Sequence, residues 1–354
     1  MTLLFSPYTL GGLTLRNRIV MAPMTRSRAT DNTPNALMAR YYALRADAGL
    51  IITEGVSPSP NGLGYARIPG LFSPAQIEGW RAVTEAVHQS GGRIFVQLMH
   101  TGRVGYAANL PAGAKVLAPS AIAAPGEMWT DNQGMQPHPV PTAMSEAAIA
   151  AAIAEYVAAA KNAIAAGLDG VELHAANGYL IDQFLNTASN QREDAWGGSV
   201  ENRIRFAVEV ARACAAAIGA ERIGMRISPY GVFNGMTPDA ETDALYEKLV
   251  EALNAIGLAY IHVVDHSSMG APEVSPTLKA ALRAAFKGSY ILSGGYDAAR
   301  AEADLSANHG DLVAFGRPFI SNPDLVTKLT TNTPLTPPDF NTLYTPGEKG
   351  YLDY

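Results

Sequence analysis

Cysteine is nearly absent from this chain: 354 residues include one, Cys214. A single thiol excludes an internal disulfide framework and any cluster held by several cysteines. It suits a reducing compartment, and a cytoplasmic location is expected. Charge is also scarce. Charged residues make up 16%, and 26 basic against 32 acidic side chains leave a net charge of −6, so no general pull toward nucleic acid or an anionic membrane surface is expected. Long apolar runs are missing too. The most apolar stretch, AAIAAAIAEYVAAAKNAIAAGL, is mostly alanine and is interrupted by Glu155 and Lys161, which reads as a soluble helix and not a span. The N-terminus, MTLLFSPYTLGG, has no basic region and meets Pro7, unlike a signal peptide. What the chain does have is apolar substance: 48% hydrophobic residues are ample for a large core and too many for disorder.

Length alone leaves two domains or one large α/β barrel open. Eight Val/Ile/Leu-rich runs decide between them: 18–23, 49–55, 93–100, 170–175, 222–228, 259–264, 289–295 and 312–317. Their low polar alternation suits parallel strands buried on both faces. Amphipathic stretches at 35–47, 74–90, 145–166, 199–218, 239–256, 275–286 and 297–308 lie between them, with Ser145, Pro74 and Pro276 marking helix starts. Strict alternation repeated eight times predicts a single (β/α)₈ TIM barrel spanning 1–354. A doubly wound sheet needs a Gly-rich turn after its first strand, where this chain reads MAPMTRSRA. Residues 4–16, with Gly11-Gly12 at their centre, predict a hairpin that plugs the N-terminal mouth. The 101–143 insertion after the third strand is too long for a simple loop and predicts a lid or subdomain over the opposite mouth. The Pro- and Tyr-bearing tail is expected to pack on the barrel or on a partner.

Chemistry in this fold sits at the C-terminal ends of the strands. Those ends carry Pro23-Met24-Thr25, Glu54-Gly55, Gln97 with Met99 and His100, His174 with Asn177 and Tyr179, Arg226, Asp265-His266, Gly294-Gly295 and Gly316-Arg317. The seven lysines all lie elsewhere, so Schiff-base chemistry has no candidate. The carboxylates are too scattered for a Mg²⁺ shell, and the histidines have no metal spacing, so no metal is expected. No G-x-S-x-G elbow occurs. The glycines ending strands seven and eight, followed by Arg317, fall where this fold binds phosphate. Gln97 offers a donor and an acceptor suited to the imide edge of a planar heterocycle. Arg226, a charge inside a strand, requires an anionic partner, either a carboxylate such as Glu54 or a ring that becomes anionic on reduction.

A specific likeness lies in VELHAANGYLIDQFLNTASNQREDAWGGSVENRIRF at 171–206, with NRIVMAPMTRSRA before it and FGRPFISNPDL after it. In these segments and their order the chain resembles the Old Yellow Enzyme family of FMN-dependent ene-reductases. The resemblance implies a (β/α)₈ barrel, noncovalent FMN, and reduction of activated C=C bonds with NADPH or NADH. It implies that His174 and Asn177 bind the carbonyl or nitro oxygen of the substrate and that Tyr179 protonates the α-carbon after hydride transfer from flavin N5. It places Pro23, Met24, Thr25, Gly55, Gln97 and Arg226 around the flavin ring, and Gly294, Gly295, Gly316 and Arg317 at its phosphate. Tyr65, Met99 and Tyr351 are implied to line the substrate pocket, with Met99 standing where many relatives have tryptophan. Expected ligands are small enones, maleimides, nitroalkenes and phenols that mimic an enolate. Neither nucleic acid nor membrane is an expected partner, and homo-oligomerisation is left open.

Overall fold

The computed structural model describes residues 2–354. Eight parallel strands close into a barrel: β1 Ile19–Met21, β2 Leu50–Val56, β3 Ile94–Leu98, β4 Gly170–Ala175, β5 Ile223–Ile227, β6 Tyr260–Val264, β7 Ser289–Ser293 and β8 Leu312–Phe315. Seven lie inside one of the eight runs, and β2 continues one residue past its run to Val56. Their residues are buried throughout, because the barrel interior covers one face and helices cover the other. The outer ring comprises α1 Ala36–Ala43, α2 Pro74–Gln89, α3 Glu146–Ala165, α4 Val200–Ile218, α5 Thr242–Ile256, α6 Pro276–Ala285 and α7 Ala298–Ser306, followed by α8 Leu325–Thr331. Polar caps set the starts. Ser73 and Gln76 form a capping box around Pro74, and Ser145, Ser199 and Ser275 each accept from the first turn of their helix. The alanine-rich α3 buries Ile149, Ala152, Tyr156, Ala159, Ala160 and Ala163 in the core between barrel and helices, as a ring helix does.

The barrel interior changes character along its axis. At the N-terminal end, Val20, Leu50, Ile52, Phe95, Ile291 and Leu312 form an apolar plug with Leu10 and Leu15 of the N-terminal hairpin. That hairpin pairs Tyr8–Leu10 with Leu13–Leu15. It turns through Gly11 and Gly12, both at positive φ, and a β-carbon at Gly11 would overlap the Glu221 carbonyl. Leu10 and Leu15 are wholly buried, each contributing about 2 kcal/mol of apolar transfer. Midway up, the register sets Glu172 beside Gln97, then His174 beside Arg226 and Arg226 beside His262. The filling has become polar.

The insertion after β3 has its own structure. Leu117–Ala118 pairs in parallel with Thr142–Ala143, and Glu127–Thr130 forms a hairpin with Gly134–Pro137. Met128 of that hairpin points inward while Trp129 and Met135 are half-exposed. The C-terminal tail is held by two buried arginines near β1. Arg26 donates to Leu343 O at 3.1 Å and Gly350 O at 2.5 Å, and Arg28 donates to Thr342 O at 2.7 Å and Lys349 O at 2.9 Å. These bonds satisfy carbonyls of a segment that has no ladder of its own.

Candidate active site

The C-terminal ends of the strands open into a cavity of about 1000 Å³, lined by Pro23, Thr25, Gly55, Tyr65, Gln97, Met99, His174, Asn177, Tyr179 and Arg226. An adjoining lobe of about 630 Å³ shares Pro23, Thr25, Asn177, Tyr179 and Arg226 and adds Met24, Gly294, Gly295, Gly316 and Arg317. The structure thus brings together every residue expected at the site except Tyr351. That ring is fully buried and stacks on Tyr41 with centroids 4.1 Å apart, between Arg26 and Arg28. It anchors the tail, and the tail aromatics that reach the cavity are Phe340 and Tyr344. His100, also at the end of β3, is structural: its Nδ1 accepts from Gly102 N–H at 3.0 Å.

The floor is a buried polar network. Glu172, fully buried, accepts from Gln97 Nε2 at 2.8 Å and from the Tyr260 hydroxyl at 3.1 Å, with His262 Nδ1 at 2.9 Å. Because its nitrogen is turned to Glu172, Gln97 presents its carbonyl oxygen to the cavity. Arg226 is 7% exposed, and its Nε has no hydrogen-bond partner among the described residues. Burial pulls its pKa down, with the charge of Glu172 the largest opposing effect. Glu172, rather than Glu54, is therefore the carboxylate whose charge bears on Arg226. Glu54 lies at the irregularity in β2 between Ile52 and Gly55, where it accepts from Tyr42 OH and Arg26 N–H, both at 3.3 Å. Burial raises its pKa to about 7.

The wall above the floor comes from the turn after β4. Asn177 at φ 62° and Gly178 at φ 76° reverse the chain in the left-handed region, which asparagine and glycine tolerate. Asp182 locks the turn by accepting from Gly178 N–H at 2.8 Å. His174 is held neutral: burial pushes its pKa well down, and Arg226 adds to the effect. Its Nδ1 has no partner among the described residues. The rings of His174 and Tyr179 meet edge to face at 5.0 Å, and the Tyr179 and Tyr65 hydroxyls lie 2.9 Å apart. Burial raises the pKa of both tyrosines, so each carries its proton at neutral pH.

Two contacts could not be read from the sequence. His266 Nε2 lies 2.7 Å from Asn177 Oδ1. Arg67 ties the mouth together through an ion pair with Asp131 of the insertion and bonds to Ser27 O at 3.0 Å and Tyr344 O at 2.9 Å. Both join segments far apart in sequence, and no local pattern marks them.

This donor set fits FMN. A buried guanidinium in the floor whose Nε has no partner among the described residues calls for an anion or acceptor. At the far lobe Gly294 takes φ 128° against Asp265 O, where a β-carbon would overlap that oxygen. Neighbouring Arg317 is exposed and makes no ion pair among the described residues. Gln97, Thr25 and Arg226 would hold the ring, and Gly294, Gly295, Gly316 and Arg317 the phosphate.

The comparisons agree. Residues 3–336 match the NADH:flavin oxidoreductase / NADH oxidase family. A probable flavin mononucleotide-dependent alkene reductase of Leishmania infantum is 42% identical, over 99% of this chain and 96% of its own. Morphinone reductase in complex with tetrahydroNAD superposes with a TM-score of 0.94 at 44% identity, over 99% of this chain and 96% of that one. An Old Yellow Enzyme homologue from Zymomonas mobilis does so at 0.94 and 41% identity, over 99% of both chains. With this cavity at the strand ends of a TIM barrel, the chain belongs to the NADH:flavin oxidoreductase / NADH oxidase family, among the FMN-dependent, NAD(P)H-using alkene reductases of Old Yellow Enzyme type.

Proposed function

We propose that the protein reduces the electron-poor C=C bond of small α,β-unsaturated aldehydes, ketones, imides and nitro compounds. The observation that carries this reading is the convergence, beside an Arg226 whose Nε has no partner among the described residues, of a neutral His174, the Asn177 amide and the Tyr65–Tyr179 hydroxyl pair in one cavity. FMN, when bound, supplies the hydride carrier between nicotinamide and alkene.

His174 and Asn177 bind the conjugated oxygen of the substrate. Hydrogen bonds to that oxygen stabilise the negative charge that develops on it as the β-carbon gains hydride. Neither group has to ionise to do so, so the oxygen site keeps its character across neutral pH. Tyr179 then supplies the proton to the α-carbon. Tyr65 OH, 2.9 Å away, can donate to the phenolate oxygen left behind. Arg226 would supply fixed positive charge to a bound flavin, and Gln97, oriented by Glu172, would offer it a hydrogen-bond acceptor. Trp129 and Met135 of the insertion and Phe340 and Tyr344 of the tail give the entrance an apolar rim suited to hydrophobic enones. We place the enzyme in the cytoplasm, where its lone cysteine, the buried Cys214, would remain a thiol.

The test is NADH and NADPH oxidation by FMN-loaded protein with cyclohexenone, an N-alkylmaleimide and a nitroalkene. Substrate-dependent oxidation is expected, and 4-chlorophenol should compete. Turnover of none of the three would overturn the proposal. Replacing both His174 and Asn177 by alanine should weaken phenol binding by about a hundredfold, the loss of two hydrogen bonds to a charged oxygen.

A further inference from the structure

Asn177 uses its polar groups almost completely. Its backbone N–H donates to Ser228 Oγ at 3.0 Å, its carbonyl accepts from Asn234 Nδ2 at 2.8 Å, and its side-chain oxygen faces His266 Nε2 at 2.7 Å. What remains for the cavity is the amide nitrogen, a donor. An asparagine amide has no intrinsic preference for which end faces a ligand, since rotation by half a turn exchanges oxygen and nitrogen. The surroundings decide.

His266 lies in the loop after β6, next to Asp265, and is 7% exposed. Three contacts hold its loop and ring in place. Asp265 pairs with Lys279 Nζ at 2.6 Å and accepts from Ser267 N–H at 2.9 Å, and Phe233 meets the imidazole edge to face at 4.7 Å. Burial, and then the charge of Arg226, push the pKa of His266 down to about 4, so the ring is neutral and has a single N–H. An oxygen 2.7 Å from Nε2 requires the hydrogen to be on Nε2.

We infer that His266 is a positioning residue that fixes the Asn177 amide with its nitrogen toward the substrate, making Asn177 a hydrogen-bond donor to the substrate oxygen. This rests on the oxygen-binding role proposed for Asn177. His266 acts through Asn177 and need not touch the substrate itself. Without it the Asn177 oxygen loses its partner, and the flipped amide, which presents oxygen to oxygen, becomes populated. Binding of an anionic oxygen then falls even though both site residues are intact.

The experiment is a double-mutant cycle on FMN-loaded protein, read as the Kd of 4-chlorophenol by titration. Asn177→Ala and His266→Leu should each weaken binding by about tenfold, and His266→Leu should change nothing further in the Asn177→Ala background. His266→Gln puts an amide N–H near the position of Nε2, and it should restore affinity to within about twofold of wild type. Unchanged affinity in Asn177→Ala removes the underlying site reading and this inference with it. Weakened binding in Asn177→Ala with unchanged binding in His266→Leu overturns the inference alone. So does an equal loss from His266→Leu in both backgrounds, which is the signature of a packing defect. Failure of His266→Gln to recover affinity while it retains FMN and melts like wild type also overturns it.

Discussion

Tyr65 and Tyr179 bring their hydroxyl oxygens to 2.9 Å from positions 114 residues apart. One belongs to the loop after β2 and the other to the turn after β4, so the pair exists only in the closed barrel. Tyr179→Phe should slow alkene reduction by about a hundredfold while NAD(P)H oxidation without alkene continues at its normal rate. Tyr65→Phe should slow the same step by only about fivefold, the loss of one supporting hydrogen bond. Stopped-flow measurement of the two half-reactions separates these outcomes. Equal slowing of both half-reactions by Tyr179→Phe would argue against proton donation.

Arg226 makes a two-sided prediction. Arg226→Met keeps the chain volume but removes a buried charge that has no hydrogen-bond partner at Nε. FMN affinity should fall by about tenfold or more, while the FMN-free protein should melt no lower than wild type, because an uncompensated desolvation cost has been removed. Equilibrium dialysis and thermal melts check the two halves.

Asp182 gives the pH dependence. Burial raises its pKa from 3.8 to about 7 in the folded protein, although it accepts from Gly178 N–H. The folded chain then holds this proton more tightly than the unfolded chain. The contribution to stability is complete below the unfolded value of 3.8 and is lost as pH rises through about 7. Relative to Asp182→Asn, the wild-type protein should therefore lose stability between pH 4 and 8, by a few kcal/mol at most. A constant difference between the two proteins would show that this carboxyl is not the titrating group.

The barrel was legible in the sequence because its strands are short Val/Ile/Leu runs separated by helices with polar caps, and both signals are local. Most of the site was legible for a related reason: the fold puts chemistry at strand ends, and His174, Asn177, Tyr179, Gln97 and Arg226 all sit there. Glu172 was not. It lies inside the GVELHA run, and its meaning comes from the register that sets it beside Gln97 on β3. The role of His266 depends on a partner 89 residues away. Tyr351 was misplaced because an irregular, proline-punctuated tail has no period from which side-chain direction can be read. The ring faces Tyr41 and Tyr344 faces the cavity, and only the folded path of the tail separates them.

The hairpin at the opposite end offers a control. Leu10→Ala leaves a cavity in the apolar plug and should cost about 2–5 kcal/mol of stability. The plug and the polar floor are separate layers of the barrel, so FMN affinity measured well below the melting point should be unaffected. Linked loss of FMN and stability would mean that the two layers are mechanically coupled.

Arg26 follows Thr25 directly and Arg28 lies two residues further on, and what they hold is the segment 342–350. Every residue proposed to contact the flavin is made by position 317, whereas Phe340 and Tyr344, which wall the cavity, come after it. On the ribosome, the strands that form the cup are therefore finished before the tail's share of its rim exists. Until residues 342–350 emerge and dock on the waiting guanidinium groups, the cup lacks part of its wall.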